Sequence, residues 1–214
     1  MGTYVYIDGF NFYYRVFKNR SRKNHPPRGH KWLNFLTLST LLMPGQSIDW
    51  IGYFTAFVSP TPTDPDQPAR QRAYLEALKT LPCLEVIPGQ FLSVKKKGIP
   101  VGSPTQQIVE FRTFEEKGSD VNLACRLVLD GATGKFTEAL VITNDGDLAE
   151  PIRVVTQDLH MPVTLCSPDL TVNGTLRKVA TTAGPLDLTL LKKCLFPDQM
   201  VSATSIPISK PATW

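Results

Sequence analysis

Short apolar runs alternate along this chain with stretches whose apolar residues recur three or four positions apart. The short runs, rich in β-branched and aromatic residues, are typical of buried strands and cover residues 4–7, 49–58, 84–94, 139–142 and 162–166. The segments at helical spacing cover residues 11–18, 32–43, 69–81, 120–129, 148–159 and 186–195. Because strands and helices alternate, the sequence predicts a three-layer α/β/α fold around a mostly parallel, Rossmann-like sheet.

Two regions depart from this alternation. Residues 95–104 are predicted to form a turn, and 107–113 to pair back as an antiparallel excursion. Ser119 is predicted to cap the helix that follows it. From Asp198 onward the chain is rich in Ser, Thr and Pro with little apolar periodicity. We therefore predict one domain over 1–197 and, over 198–214, a flexible tail or a strap over a neighbour.

The composition is that of an ordinary globular protein. The chain has 214 residues, of which 42% are hydrophobic and 20% charged. Its apolar runs are too short to cross a bilayer, and its N-terminus lacks the pattern of a secretory signal. The four cysteines include no Cys-x-x-Cys pair, which argues against a zinc cluster or a disulfide framework. These features favour a cytoplasmic protein that does not bind membranes.

Positive charge is concentrated in two places, although the net charge is only +4. The first stretch contains no acid and holds Arg15, Lys18, Arg20, Arg22, Lys23, Arg28 and Lys31; the second is Lys95–Lys97. Both could be solvated loops. Aromatic residues lie within the first stretch or directly before it, including Tyr13, Tyr14 and Phe17, and this combination favours a surface that binds a polyanion.

Carboxylates follow two of the predicted strands directly. Asp8 ends the run at 4–7, and Asp145 and Asp147 follow the run at 139–142. The carboxyl ends of parallel strands share one edge of the sheet, which is where such folds bind ligands. Asp120 lies at the start of a helix, where a carboxylate is well tolerated. Four aspartates at one edge would repel one another without a cation, and their oxygens suit Mg²⁺ or Mn²⁺.

Three sequence blocks resemble the signatures of NYN-domain proteins, which belong with the PIN-like, flap-nuclease-like folds. The blocks are Tyr6-Ile7-Asp8-Gly9-Phe10-Asn11, Lys117-Gly118-Ser119-Asp120-Val121 and Ile142-Thr143-Asn144-Asp145-Gly146-Asp147-Leu148. The blocks occur in the same order as in the family. Together with the elements between them, they cover roughly residues 3–195. The resemblance implies a Mg²⁺- or Mn²⁺-dependent nuclease, most often acting on RNA.

Residue by residue, the resemblance makes Asp8, Asp120, Asp145 and Asp147 the metal-binding acids, and Asn11 the asparagine that shapes the pocket. This chain has Thr143-Asn144 where many relatives carry Ser-Gly, Ser119 where an aliphatic residue is usual, and Leu148 where an aromatic is frequent. These departures leave the acids intact and bear on substrate choice more than on metal binding.

The chemistry of such a site can be argued from the residues themselves. Phosphodiester hydrolysis needs a hydroxide at neutral pH and stabilisation of the leaving oxygen, and divalent ions supply both. We predict that the substrate RNA is contacted by Lys117, Arg15, Thr143, Asn144, Arg20, Arg22 and Lys23. The sequence does not determine the oligomeric state, and it is compatible with a homodimer.

Two other functions compete with an RNA endonuclease. A catalytically silent RNA-binding or scaffold module would share the fold but not the turnover. A phosphatase of the haloacid-dehalogenase type would use an acidic end motif such as Asn144-Asp145-Gly146-Asp147. That chemistry requires a second acid two positions after the first, whereas Asp8 is followed by Gly9 and Phe10.

Overall fold

A six-stranded parallel sheet forms the centre of the domain in a computed structural model, which describes residues 2–19, 25–102, 106–202 and 204–214. In chain order the described strands are β1 Thr3–Asp8, β2 Ile48–Thr55, β3 Leu84–Pro88, β4 Gln90–Gly98, β5 Val109–Lys117, β6 Glu138–Ile142, β7 Val163–Ser167, β8 Thr182–Pro185, β9 Gln199–Val201 and β10 Pro207–Ser209. The strand order in the central sheet is β3-β2-β1-β6-β7-β8. The predicted α/β/α class is confirmed.

Helices cover both faces of this sheet. They are α1 Gly9–Tyr13, α2 Phe35–Leu42, α3 Gln67–Leu78, α4 Ser119–Ala132, α5 Ala149–Arg153 and α6 Gly174–Val179. One π-helical turn, Tyr14–Lys18, continues α1, and another, Val154–Asp158, continues α5; 3₁₀ turns lie at Arg28–Lys31, Gly146–Leu148 and Leu188–Lys193. Within the described ranges, no helix has the length and apolar character needed to cross a membrane.

Successive side chains of β1 point to opposite faces of the sheet, so this strand contributes to both layers of the core. Val5 and Ile7 point to one side of the sheet and join a buried cluster with residues of α2 and α3. Tyr6 points to the other side, where it packs with Phe54 of β2 and with α4. A strand buried on both faces explains the continuous apolar run seen in the sequence.

Strands β4 and β5 form a separate antiparallel hairpin outside the main sheet. This confirms the predicted excursion but corrects its bounds, because Lys95–Lys97 lie within β4 and not in a turn. Each strand has nine residues, so the hairpin is longer than the prediction. Its final residue, Lys117, leads almost directly into α4, so the hairpin and α4 are joined beside the edge that carries Asp120.

The C-terminal part of the chain differs most from the sequence-based expectation. The predicted helix at 186–195 is a 3₁₀ segment, and β8 was not predicted. The described part of 198–214, predicted to be a flexible tail or a strap over a neighbour, forms the β9–β10 hairpin and packs on the domain. Ile208 is buried there, and the Trp214 ring contacts the rings of Trp32 and Tyr74.

Candidate metal centre

Neighbouring parallel strands bring Asp8 and Thr143 together at the carboxyl edge of the sheet. Ile7 of β1 lies opposite Ile142 of β6, so the residue after each arrives at the same place. The Thr143 hydroxyl donates a hydrogen bond to Asp8 Oδ2 (2.9 Å) and accepts one from the backbone N–H of Asp145 (3.1 Å). One threonine hydroxyl therefore links two of the predicted metal-binding acids.

The third acid, Asp120, reaches this edge from the first turn of α4. Gly118 precedes that helix with a φ of +91°, a left-handed conformation that glycine adopts without strain. Gly118 is also the N-cap residue, which corrects the prediction that Ser119 caps the helix. The backbone N–H of Ser119 instead donates to Glu116 Oε1 (2.9 Å).

Asp8, Asp120 and Asp145 converge. Each offers a carboxylate oxygen, and the three oxygens lie within 4.8 Å of one another. Asp147, the fourth predicted ligand, does not belong to this group and is exposed, while its backbone N–H donates to Asp145 Oδ1 (3.1 Å). The described residues therefore bring together a centre of three aspartates rather than the four predicted from the sequence.

Burial makes the charged forms of Asp8 and Asp120 unfavourable. Asp8 is only 3% exposed, and desolvation with the nearby Asp120 and Asp145 raises its pKa to about 7, against the lowering effect of its hydrogen bonds. The pKa of Asp120 is also raised, first by desolvation and then by Asp145, Glu116 and Asp147. Negative charges crowded in this way favour a bound cation or proton.

The donor set fits a hard divalent cation. All three groups are carboxylates, the oxygen ligands that Mg²⁺ and Mn²⁺ prefer. Asp8 already accepts one hydrogen bond at each oxygen, from the backbone N–H of Asn11 (3.0 Å) and from Thr143. Because each carboxylate oxygen has two lone-pair positions, Asp8 retains capacity to coordinate a metal.

The three aspartates lie in a cleft of about 420 Å³. Its lining consists of Asp8, Phe10, Asn11, Tyr14, Arg15, Lys18, Asn19, Glu116, Asp120 and Asp145. The cleft thus combines an acidic group with the cations Arg15 and Lys18. Arg15 Nη1 also pairs with Asp169 Oδ2 at 3.1 Å, which orients the guanidinium.

The predicted pocket residue Asn11 lies in this cleft and supports it, because its side-chain oxygen accepts from the backbone N–H of Asn144 (2.9 Å). Thr143 and Asn144 were predicted to contact substrate, yet both side chains are buried. The Asn144 amide donates to the Thr171 carbonyl (3.1 Å) and accepts from the N–H of Asn173 (2.7 Å). In the structure, Thr143 and Asn144 therefore position neighbouring groups of the site.

The predicted cationic contacts have different outcomes. Arg15 lines the cleft, and its contact with RNA stays a prediction. Among the residues that the structure describes, Lys117 does not line the cleft, and its ammonium pairs with Glu115 Oε2 at 2.9 Å. Arg20, Arg22 and Lys23 lie outside the described residues.

The predicted site residues did not include the cleft residues Lys18 and Glu116, nor Asp169, which pairs with Arg15. Lys18 lines the cleft one helical turn beyond Arg15. Glu116 also lines it, and strand alternation in β5 is the signal that could have separated it from Glu115. Asp169 follows β7 just as Asp145 follows β6, so the rule that identified Asp145 would also have identified Asp169.

A second, larger cleft of about 840 Å³ adjoins the first and shares Phe10, Tyr14 and Lys18 with it. Its walls carry several aromatic rings, among them Tyr13, Tyr53, Tyr74 and Trp214. The Lys31 ammonium lies 5.3 Å from the Tyr13 ring centre and 5.6 Å from that of Trp214. Its pKa is lowered by burial and by the neighbouring cations Lys18, Arg28 and Arg70.

Comparison with known proteins gives one curated relative and one structural neighbour. The chain is 31% identical over 179 residues to 6-hydroxy-3-succinoylpyridine 3-monooxygenase HspA of Pseudomonas putida. The match covers 72% of this chain and 55% of the relative, so the chain spans little more than half of that enzyme's length. No protein-family model matches the chain.

The structural neighbour is a crystal structure of a protein of unknown function from Vibrio parahaemolyticus. It shares 15% identity, covers 87% of this chain and 93% of its own, and has a TM-score of 0.56. At this identity the likeness bears on the fold alone. Neither comparison tests the resemblance to NYN-domain proteins, which stays a prediction.

Proposed function

We propose that this chain is a divalent-metal-dependent endoribonuclease. The observation that carries the proposal is the convergence of Asp8, Asp120 and Asp145, whose carboxylate oxygens lie within 4.8 Å of one another. These are three of the four acids that the NYN-like blocks predicted. Cations in the same cleft add a means of holding a phosphate beside the acids.

Asp8, Asp120 and Asp145 would hold Mg²⁺ or Mn²⁺. A bound divalent ion lowers the pKa of a water ligand and offsets negative charge on phosphate oxygens. The side chains around the acids keep them in place. Thr143 orients Asp8 and the Asp145 backbone, and the Asn11 N–H and side chain connect Asp8 to Asn144.

Arg15 and Lys18 would contact the RNA backbone. Both line the cleft, and Arg15 is held there by Asp169. Asp169 balances part of the Arg15 charge, which leaves Lys18 to attract a phosphate. Contacts of this kind release counterions, so RNA binding should weaken steeply as salt is raised.

The test is cleavage of a mixed RNA pool with Mg²⁺, with Mn²⁺ or with a chelator. Wild type is compared with Asp8→Asn and Asp145→Asn, which remove a metal-binding charge while keeping the side-chain size. Asp66→Asn is the matched control, because Asp66 is exposed and its side chain makes no helix-capping hydrogen bond. We expect loss of at least about a hundredfold in rate for the two cleft variants and for wild type with chelator.

Equal cleavage rates in all four proteins would contradict the proposal. RNA that binds the wild-type protein but stays uncut with Mn²⁺ would instead indicate the catalytically silent module.

A second candidate function comes from the curated relative. Its name describes oxygenation of a hydroxypyridine that carries a succinoyl chain. The larger cleft offers a match to that chemistry, because its aromatic walls could hold a planar ring and Lys31 could pair with a carboxylate. We therefore propose monooxygenation of a small aromatic acid as the alternative to RNA cleavage.

Monooxygenation needs dioxygen and a two-electron reductant, with one oxygen atom entering the substrate and the other leaving as water. The test is oxygen uptake with 6-hydroxy-3-succinoylpyridine and a reduced nicotinamide cofactor, with and without added flavin. Uptake that depends on the pyridine and falls in Lys31→Gln would favour this function. RNA cleavage without any such uptake would exclude it in favour of the nuclease.

A further inference from the structure

Four aromatic rings form a ladder that leads away from the acidic cleft. The pairs Tyr14–Phe10, Phe10–Phe91 and Phe91–Phe114 have ring centres 6.3, 6.2 and 6.0 Å apart and interplanar angles of 16°, 15° and 15°. Tyr14 and Phe10 line the cleft, whereas Phe91 and Phe114 belong to the β4–β5 hairpin. Tyr14 and Phe114, at the two ends, remain 53% and 43% exposed.

The register of the hairpin shows which other residues share the face of the ladder. Phe91 lies opposite Glu116, Ser93 opposite Phe114, Lys95 opposite Arg112 and Lys97 opposite Glu110. Because side chains alternate between faces along a strand, all of these residues point to the same side. That face therefore passes from Glu116, at the acidic cleft, through two aromatic rings to a group of cations.

The opposite face of the same hairpin has a different composition. It presents Leu92, Val94, Lys96, Val109, Phe111, Thr113 and Glu115. Lys96 there pairs with Glu115. Its one aromatic ring, Phe111, is 47% exposed and belongs to none of the stacked pairs of the ladder.

On the face that carries Phe91 and Phe114, the ladder face, the positive charges are not fully neutralised by neighbouring acids. Lys95 and Arg112 are directly opposite each other, an arrangement of like charges that is unfavourable without an anion. Lys95 has a long ion pair with Glu110 (3.4 Å), and neither Arg112 nor Lys97 has an ion-pair partner in the part of the chain that the structure describes. Exposed rings next to uncompensated cations fit a chain of bases joined by phosphates.

We propose that the ladder face of the β4–β5 hairpin binds the single-stranded RNA that enters the acidic cleft. Bases stack on Phe114, Phe91 and Tyr14, and Arg112, Lys95 and Lys97 contact backbone phosphates. This inference rests on the proposed function for its choice of RNA. It adds a binding track outside the cleft, contributed by a hairpin that is not part of the main sheet.

The rings are tested by binding, in a protein that does not cut. Fluorescence anisotropy measures the affinity of Asp145→Asn for a labelled single-stranded RNA of about 12 nucleotides. The variant Phe91→Leu/Phe114→Leu, in the same background, keeps apolar side chains but removes both rings. We expect affinity to fall at least about tenfold, since each stacked base contributes measurably to binding.

Phe111→Leu is the matched control. It removes an equally exposed ring from the same strand but from the opposite face. We expect its affinity to stay within about twofold of the parent, because no base stacks there. Circular dichroism and size-exclusion chromatography of each variant show whether fold and oligomeric state are kept.

The cations have a parallel test with their own control. Arg112→Gln and Lys97→Gln should each reduce the slope of log affinity against log salt by roughly 0.7, as expected for one lost phosphate contact to a single strand. Lys96→Gln, on the opposite face, should leave the slope unchanged.

The outcomes separate this inference from the proposed function. If wild type cuts RNA but Phe91→Leu/Phe114→Leu binds as tightly as its parent, the track is overturned and the nuclease stands. If RNA binds through the ladder face but is never cut, the track stands and the nuclease falls. Loss of self-association with unchanged RNA affinity would identify the face as a contact between copies of this chain and overturn the track, as would an absence of RNA binding by the parent.

Discussion

The hydroxyl of Thr143 and the carboxylate of Asp8 are joined by a hydrogen bond of 2.9 Å, although 135 positions separate them in the chain. The pairing of β1 with β6 creates this contact, because both residues follow the last paired positions of their strands. Both side chains are buried, so the hydrogen bond forms away from competing water. The sheet thereby sets the orientation of an acid at the proposed metal centre.

Replacing Thr143 with valine should disturb this orientation with little change in side-chain shape. The substitution removes the donor to Asp8 Oδ2 and the acceptor for the Asp145 N–H. We expect a loss of about 1–3 kcal/mol in the free energy of unfolding, since buried polar groups lose their partners. Urea denaturation measures this loss, and RNA cleavage should slow in parallel. Thr143→Ser, which keeps a hydroxyl at this position, should retain most of the stability and most of the cleavage rate.

The stability of the metal-free protein should depend on pH through Asp8. Its pKa rises from an ordinary 3.8 to about 7 on folding, so the folded state binds the proton more tightly than the unfolded state. The stabilisation is complete below pH 4 and is lost as pH rises through 7. The total should not exceed about 4 kcal/mol, at 1.36 kcal/mol for each pH unit. Urea midpoints across this range measure the effect. Asp8→Asn should flatten the curve, and an unchanged slope in that variant would assign the effect to other groups.

Gly118 should tolerate no side chain without loss of stability. Its φ of +91° is unfavourable for any residue with a Cβ, even though no heavy atom lies within 4 Å of the position that a Cβ would take. We expect Gly118→Ala to destabilise the protein by about 1–2 kcal/mol and to weaken Mn²⁺ binding, because Asp120 follows two residues later. Thermal denaturation and calorimetric titration measure the two effects. Gly174→Ala, at another open position but with no positive φ, should be neutral or slightly stabilising.

Asp130 should contribute to stability but not to metal binding. It is a fully buried residue of α4 that accepts hydrogen bonds from Tyr6 (3.0 Å) and Arg126 (2.9 Å) and forms an ion pair with Lys135 (2.9 Å). Asp130→Ala should lower the free energy of unfolding by about 1–3 kcal/mol, because it leaves the buried Tyr6 hydroxyl without its acceptor.

Asp158→Ala provides the control for this experiment. Its ion pair with Arg153 is exposed, so the loss should be less than about 1 kcal/mol. A similar loss of unfolding free energy in Asp130→Ala and Asp158→Ala would contradict the expected difference between the buried contacts of Asp130 and the exposed ion pair of Asp158. Mn²⁺ affinity of the folded protein should be unchanged in both.

The sequence predicted those parts of the fold that depend on strong local patterns. Strands β1, β2, β6 and β7 are apolar runs, and the acids after β1 and β6 lie at the predicted edge of the sheet. Strand β8 was missed because Thr-Ala-Gly-Pro has little strand propensity, and its place comes from pairing with β7. The 3₁₀ segment Leu188–Lys193 retained the apolar spacing of a helix without becoming one.

The candidate site was predictable in its acids and less so in its surroundings. Aspartates that directly follow strands need only the sheet topology to bring them together. The places of Glu116 and of the Lys117–Glu115 pair follow from the extension of β5 to Lys117, whereas the sequence predicted this strand only over 107–113. Asp147 lies in the local 3₁₀ turn Gly146–Leu148, where it is exposed and outside the group of converging carboxylates.

The most direct test of the metal centre is a crystal soaked in Mn²⁺, with data collected to reveal the anomalous scattering of manganese. We expect an anomalous peak bounded by the carboxylates of Asp8, Asp120 and Asp145, and no peak there in crystals of Asp145→Asn treated in the same way. Carboxylates that remain beyond coordinating distance, with no peak among them in the wild-type crystal, would contradict the account.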